Sequence, residues 1–307
     1  MRTVRVFRAV LRNPDLRRVE LAYAGFNASE YAVWIAMLVY AYQRGGTTEA
    51  SLVAVLQLVP AAIGAPFLAL LADRHRPVRV LAGGYLAQAA GMGLTAVAIA
   101  ADGPVGLVYA GAVIASTAVT ITRPAQAVIV PSLACSVEEL TAANVVSSWV
   151  ESGGVLVASA LTGLLLTVSG VDAVFGLMTG VALASAVLVL PVDGPEPAAP
   201  DADERAGAGA LAGFRALGEH SQLRVLVVLL MGEFLLIGAL DILFVVLAID
   251  VLGLGQGWAG YFNGAFGAGG VLGGFVAMTL VGRRQLAPPI ALGVLMFGTA
   301  FVVIALW

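Results

Sequence analysis

No lysine occurs anywhere in this chain, and there is a single cysteine, Cys135. One thiol excludes intrachain disulfides and thiolate metal clusters. Charge is scarce as well. Only 11% of the 307 residues are charged, where a soluble globule usually carries about a quarter, and 60% are apolar. That leaves too little polar surface to cover a water-soluble body of this size, so lipid must cover it. The net charge of −3 averages a basic edge with an acidic stretch. Outside the Arg-rich N-terminus there is no concentrated basic face, which excludes a nucleic-acid partner. His75 and His220 have no second ligand at helical spacing, so no metal site is expected. No nucleophile, base and orienting group stand together, and no cofactor motif is present, so catalysis is not expected.

What is present is a pattern of arginines. All but Arg44 of the 16 cationic side chains fall on segments that alternating hydropathy places on one side of a membrane. Cations in short loops are retained on the cytoplasmic side, so this bias predicts a bilayer with the N-terminus inside. A hydrocarbon core about 30 Å thick needs roughly 20 helical residues per crossing. Nine segments of that kind are expected, at 21–42, 52–72, 80–100, 105–122, 142–168, 171–190, 225–252, 258–281 and 290–307. The outer connections are short, at 43–51, 101–104, 169–170 and 253–257. Six arginines precede the first segment as in a signal peptide. That segment is long, contains Asn27 and Glu30 and lacks a small-residue cleavage pattern, so it reads as a retained span. An Arg- and Ala-rich chain without lysine points to a genome rich in G and C, hence to a bacterial plasma membrane.

Between the sixth and seventh segments the composition turns to Pro191, Asp193, Pro195, Glu196, Pro197, Asp201, Asp203 and Glu204, which cannot pack a core. The expected organisation is a six-span bundle over 1–190, a cytoplasmic linker over 191–222 and three further spans over 223–307. Leu211, Phe214 and Leu217 in the linker sit at helical spacing, as in a surface amphipathic helix or a solvated loop. A faint repeat crosses the linker: residues 66–84 and 274–293 share the order of a span end, an arginine cluster and a new span. Such parallel repeats occur in transporters built from two equivalent bundles.

Polar residues within the spans ask for a reason, because a charge in the bilayer costs about 2.5–3.5 kcal/mol on insertion scales. Glu20, Tyr23, Asn27, Glu30 and Trp34 follow one another at steps of three and four and share one helical face. That face turns to the bundle or to a water-filled cleft. Asn27, Glu30 and Trp34 are candidate pathway residues; Glu20 is expected to be interfacial. Glu151, near the Gly153-Gly154 pair, is either a proton site or a structural acceptor, and Asp241 is the deeper of two acids in the seventh span. A charged carboxylate in a low-dielectric cleft is costly, so Glu30, Glu151 or Asp241 can take up and release a proton. Gln57, Gln88, Gln126 and Asn263 either line the cleft or join helices. Glycines 264, 267, 269, 270, 273 and 274 are explained by close helix contact rather than by a nucleotide loop.

Leu71-Ala72-Asp73-Arg74, with Arg79 beyond it, resembles the loop motif of the major facilitator superfamily. Ala69, Arg76 and Pro77 depart from that motif. Arg123-Pro124-Ala125, Pro131-Ser132-Leu133, Glu139-Leu140 and Ala143-Asn144 resemble the drug- and siderophore-efflux branch that includes enterobactin exporters. So does the run from Asn263-Gly264 to Gly273-Gly274 before Arg283-Arg284. The resemblance implies an all-α polytopic membrane protein of major facilitator type, with a complete N-terminal six-helix bundle and a partial C-terminal bundle. Its family has twelve spans and this chain offers nine, as a fragment or as a relative that has lost most of one gate. The implied activity is proton-coupled efflux of a small molecule, with protons and lipid as the other partners and no cofactor. Asp73, Arg74 and Arg123 would then form the inner gate, Arg123 serving otherwise as a plain positive anchor. The rival reading is a membrane regulatory or interaction module derived from a transporter.

Overall fold

The computed structural model describes residues 12–194, 218–219, 221–278, 292–293, 295–299 and 302–303. All regular structure among them is helical. Two compact units divide the chain, one up to Ala268 and one from Gly269 onward. The first holds nearly everything that can be described. Of the second, the end of one helix and short helical pieces are described, so the expected span at 290–307 lies largely outside the described residues; in the first, the linker residues Leu211, Phe214 and Leu217 lie outside them.

Helix α1 runs Pro14–Arg74, 61 residues, and is interrupted only at Gly45 and Gly46. Its start is fixed by Asn13, whose side-chain oxygen accepts from the N–H groups of Asp15 and Leu16 at 3.2 Å each. At the interruption Gly46 takes φ 63°, ψ −154°, a conformation open essentially to glycine alone. The chain reverses there. Trp34 and Leu58, about equally far from Gly46 on its two sides, line the same cavity. The expected outer connection over 43–51 is therefore a two-glycine break between two helical arms, 14–44 and 47–74, rather than a loop.

Helix α2, Pro77–Ala100, begins with a proline in its first turn, where the missing N–H would have had no helical partner. Helix α3, Val105–Leu133, carries on through Pro124 and Pro131. The expected end of this span at 122 is thereby corrected. In a membrane helix the groups freed by proline can be satisfied by neighbours, so Pro124 does not stop it. Helix α4, Val137–Val168, opens with Ser136 accepting from Glu139 N–H at 3.1 Å, while Glu139 accepts from Cys135 N–H at 2.8 Å. This is close to the reciprocal arrangement of a capping box. Helix α5 is Val171–Val189, and α6 is Ser221–Val246, which passes into a π turn at Leu247–Val251. Helix α7 is Gly257–Met278. Six segments among the described residues are long and apolar enough to cross a bilayer, and the first, Pro14–Ala65, contains the reversal. Exposed Val97 and Val187 fit an apolar outer surface facing lipid.

Packing separates into two apolar clusters with a polar layer between them. One cluster gathers Ala32–Tyr42 residues of α1 with Met92, Val108, Ala112, Phe175 and Met178; the other gathers Leu16, Phe26, Leu81, Tyr85, Ile129 and Val146. Along α1 the clusters are separated by Asn27–Glu30, along α2 by Gln88, along α3 by Thr122 and Arg123, and along α4 by Glu151. Apolar burial holds both ends. The polar side chains are left in the middle, where hydrogen bonds must satisfy them.

Close backbone approaches seat the helices around this layer. A Cβ on Gly91 of α2 would stand 2.5 Å from the carbonyl oxygen of Gly111 of α3. On α7, a Cβ on Gly260 would stand 2.5 Å from Gly163 N and 2.6 Å from Ser159 O of α4, and one on Gly267 would stand 2.7 Å from Leu156 N. The expectation of tight contact thus applies to Gly264 and Gly267, joined by Gly260. Such seams permit van der Waals contact along backbones where lipid offers no hydrophobic drive.

Candidate functional site

The polar layer borders a cavity of about 440 Å³ between both arms of α1, α2, α3, α4, α6 and α7. Its walls include Glu30, Tyr31, Trp34, Gln57, Gln88, Ser116, Thr120, Phe234, Asp241, Asn263 and Phe266. This volume lies in the range of small-molecule sites, which run from about 300 to 1,000 Å³.

Arg123 organises one side. Its Nη2 donates to Glu30 Oε2 at 2.7 Å and its Nη1 to Glu151 Oε1 at 3.0 Å. The guanidinium also stands 5.6 Å from the centre of the Phe26 ring, within cation–π range. One cation is shared by two carboxylates from two other helices, and the planar fork of arginine suits that task better than an ammonium group would. Hydropathy spacing puts Arg123 at the inner end of its span, where the family resemblance implies a gate with Asp73. Because α3 continues past Pro124, Arg123 instead lies well inside the helix and meets Glu30 and Glu151. The side chains of Asp73 and Arg74 lie outside the described residues.

The other side of the cavity is built differently. Asp241 Oδ2 accepts from Trp34 Nε1 at 2.9 Å, which links α6 to α1. Among the described residues no arginine or histidine forms an ion pair with Asp241. It is thus held by a neutral donor in a wall that also carries Phe234 and Phe266.

Of the remaining expected residues, Asn27 is fully buried and does not line the cavity; its amide donates back to Tyr23 O at 2.9 Å. It packs against Gly154, where a Cβ would stand 3.3 Å from that of Asn27. Glu20 is not interfacial as expected: it is 4% exposed and accepts from Ser147 Oγ at 2.7 Å. Gln57, Gln88 and Asn263 line the cavity, whereas Gln126 is buried elsewhere. Tyr31, Phe234 and Phe266 also line it and give no signal in the sequence, because apolar and aromatic residues in a span carry no sign of which neighbour they face. Asp250 accepts from the hydroxyl of Tyr42. Gln43 donates to Gln256, whose own amide donates to Leu166 O at 2.7 Å. These contacts tie the first arm of α1 and the end of α4 to the segment around the π turn. Among the described residues no group of three or more His, Cys, Asp or Glu side chains could hold a metal ion.

The model of the Major Facilitator Superfamily matches residues 20–307. The chain belongs to that superfamily. Membership agrees with an all-α, multi-pass membrane protein, and with a transporter relative rather than an enzyme. Among curated proteins none matches this facilitator. Among solved structures, a POT family transporter in complex with a thioalcohol-conjugated peptide is similar, at 14% identity and a TM-score of 0.47. The similarity covers 76% of this chain and 50% of that one, so the facilitator chain spans about half the length of that structure.

Proposed function

We propose that this facilitator is a proton-coupled secondary transporter that exports a cationic or zwitterionic small molecule by alternating access, within the drug- and siderophore-efflux branch. One observation carries the reading: Glu30 and Asp241 line one cavity, the guanidinium of Arg123 is taken up by Glu30 and Glu151, and Asp241 is left without a cationic partner among the described residues. An uncompensated carboxylate in a low-dielectric wall is stabilised by any positive charge that reaches it. A proton and an organic cation then compete for Asp241. Trp34, Phe234 and Phe266 offer aromatic faces for the rest of the molecule.

Proton uptake at Glu30 or Glu151 has a second consequence. The proton moves from water to one carboxylate, and Arg123 is left to the other. That shifts the tie between α1, α3 and α4, the local change that a rocking motion needs. The contacts Tyr42–Asp250 and Gln43–Gln256, at the far end of the first arm of α1, would part when that end opens and hold when the opposite end does. In this reading 1–190 is the N-terminal bundle, 191–222 the cytoplasmic linker and 223–307 a partial C-terminal bundle. Asp73 and Arg74 serve an inner gate, and the N-terminus is cytoplasmic in a bacterial plasma membrane, as the arginine bias supports.

The test is proton flux driven by a lipophilic organic cation in vesicles reconstituted with the protein. Glu30→Gln, Glu151→Gln and Asp241→Asn should each reduce coupled efflux, and Asp241→Asn should also remove binding of the cation. Coupled efflux unchanged in all three variants would refute the proton pathway.

A further inference from the structure

A second cavity, of about 560 Å³, opens between the second arm of α1, α2 and α3, away from the polar layer. Its walls include Leu68, Gly83, Gly84, Thr117 and Ile121, and at one end stand Arg79 and His75. Among the described residues no acid lines it. The slot is open over Gly83, where α2 offers no side chain: a Cβ there would meet nothing within 4 Å. Around it Ile63, Phe67 and Ile114 are exposed, as on a surface turned to lipid.

The charged end is built from two sources. Arg79 is exposed, in the first turn of α2, and among the described residues no carboxylate pairs with it. The N-terminus of this 24-residue helix has no side-chain cap and places partial positive charge at the same end. An apolar slot closed by a guanidinium and a helix N-terminus matches an acyl chain joined to a phosphodiester. With positive charge from both sources and no acid in the described walls, the match favours a headgroup with net negative charge.

We infer that this groove holds one anionic phospholipid, a single acyl chain lying over Gly83 and Gly84 and the phosphate against Arg79. The inference is independent of the transport reading, since none of these residues borders the first cavity.

The test uses the full chain in phosphatidylcholine vesicles containing a trace of spin-labelled phosphatidylglycerol or, in parallel, spin-labelled phosphatidylcholine. The measured quantity is the motionally restricted fraction of each label. The native chain should retain phosphatidylglycerol about fivefold more strongly than phosphatidylcholine. Arg79→Ala should abolish that preference and Arg79→Lys should keep most of it. Gly83→Leu fills the slot without touching the charge, and it should lower retention of the glycerol lipid toward that of ordinary boundary lipid. Equal retention of both labels by the native chain would overturn the inference. So would a preference that survives both Arg79→Ala and Gly83→Leu.

Discussion

Glu30 and Asp241 line one cavity and are held in opposite ways. Glu30 receives a guanidinium that Glu151 also shares, whereas among the described residues Asp241 receives only an indole N–H. The first arrangement is partly neutralised in advance, one cation standing between two acids; its acids serve to hold α1, α3 and α4 together, and any change in their protonation is felt as a change in packing. The second is left open, so its acid is available to whatever enters. The same type of side chain is a strut in one wall and a receptor in the other, and the difference lies wholly in the donor supplied.

The comparison breaks most severely at Arg123. Arg123→Ala leaves two carboxylates facing each other in the polar layer. Removing one partner of a fully buried pair costs about 3–5 kcal/mol, and about 2 kcal/mol is expected here because the Arg123 side chain is 36% exposed. Denaturant unfolding in detergent should record that loss, and adding Glu30→Gln and Glu151→Gln to the same chain should recover most of it. Asp241→Asn should do the reverse. It should weaken binding of an organic cation about 100-fold, as loss of a desolvated charge pair would. The unfolding midpoint should barely move, because the amide oxygen still accepts from Trp34. Acidification should weaken the same binding in the native chain, since protonated Asp241 no longer attracts a cation, and Asp241→Asn should remove that pH dependence.

Smaller effects sharpen the contrast. Gly260→Leu forces α7 off α4 and should cost about 1–3 kcal/mol of stability, as overpacking does, while leaving the ion pairs of Arg123 intact. Trp34→Phe removes one donor from Asp241 and keeps the ring. A shift of about fivefold in cation affinity is expected, with a thermal midpoint close to native.

Much of this is readable from spacing. The stripe through Glu30 and Trp34 identifies the face of α1 that borders the cavity, because helical periodicity alone decides which side chains share a face. Asp241 stands out because an acid deep in an apolar run is costly to insert unless a partner or a ligand makes use of it. Arg123 is misplaced by spacing for a definite reason: the proline after it reads as a helix end, a rule that holds in water and weakens in a bundle where neighbours re-satisfy the backbone. The connection at 43–51 reads as a loop although its polar residues are compatible with helix, and only Gly45 and Gly46 leave it. Tyr31, Phe234 and Phe266 are invisible, since tertiary packing alone separates a cavity wall from a lipid-facing side chain. Glu20 belongs to the interface by its position near a span end, yet Ser147 on another helix gives it a buried partner.

The seam between α4 and α7 has a mechanical consequence. Where Gly163, Gly260 and Gly267 bring main chain against main chain, few side chains interlock, Val155 and Tyr261 standing beside the seam, and a small rotation of one helix requires little rotamer change on either. Interdigitated leucines would behave like meshed gears with discrete positions. This contact behaves like a plain bearing, smooth over small displacements, and any bulk added to it acts as grit.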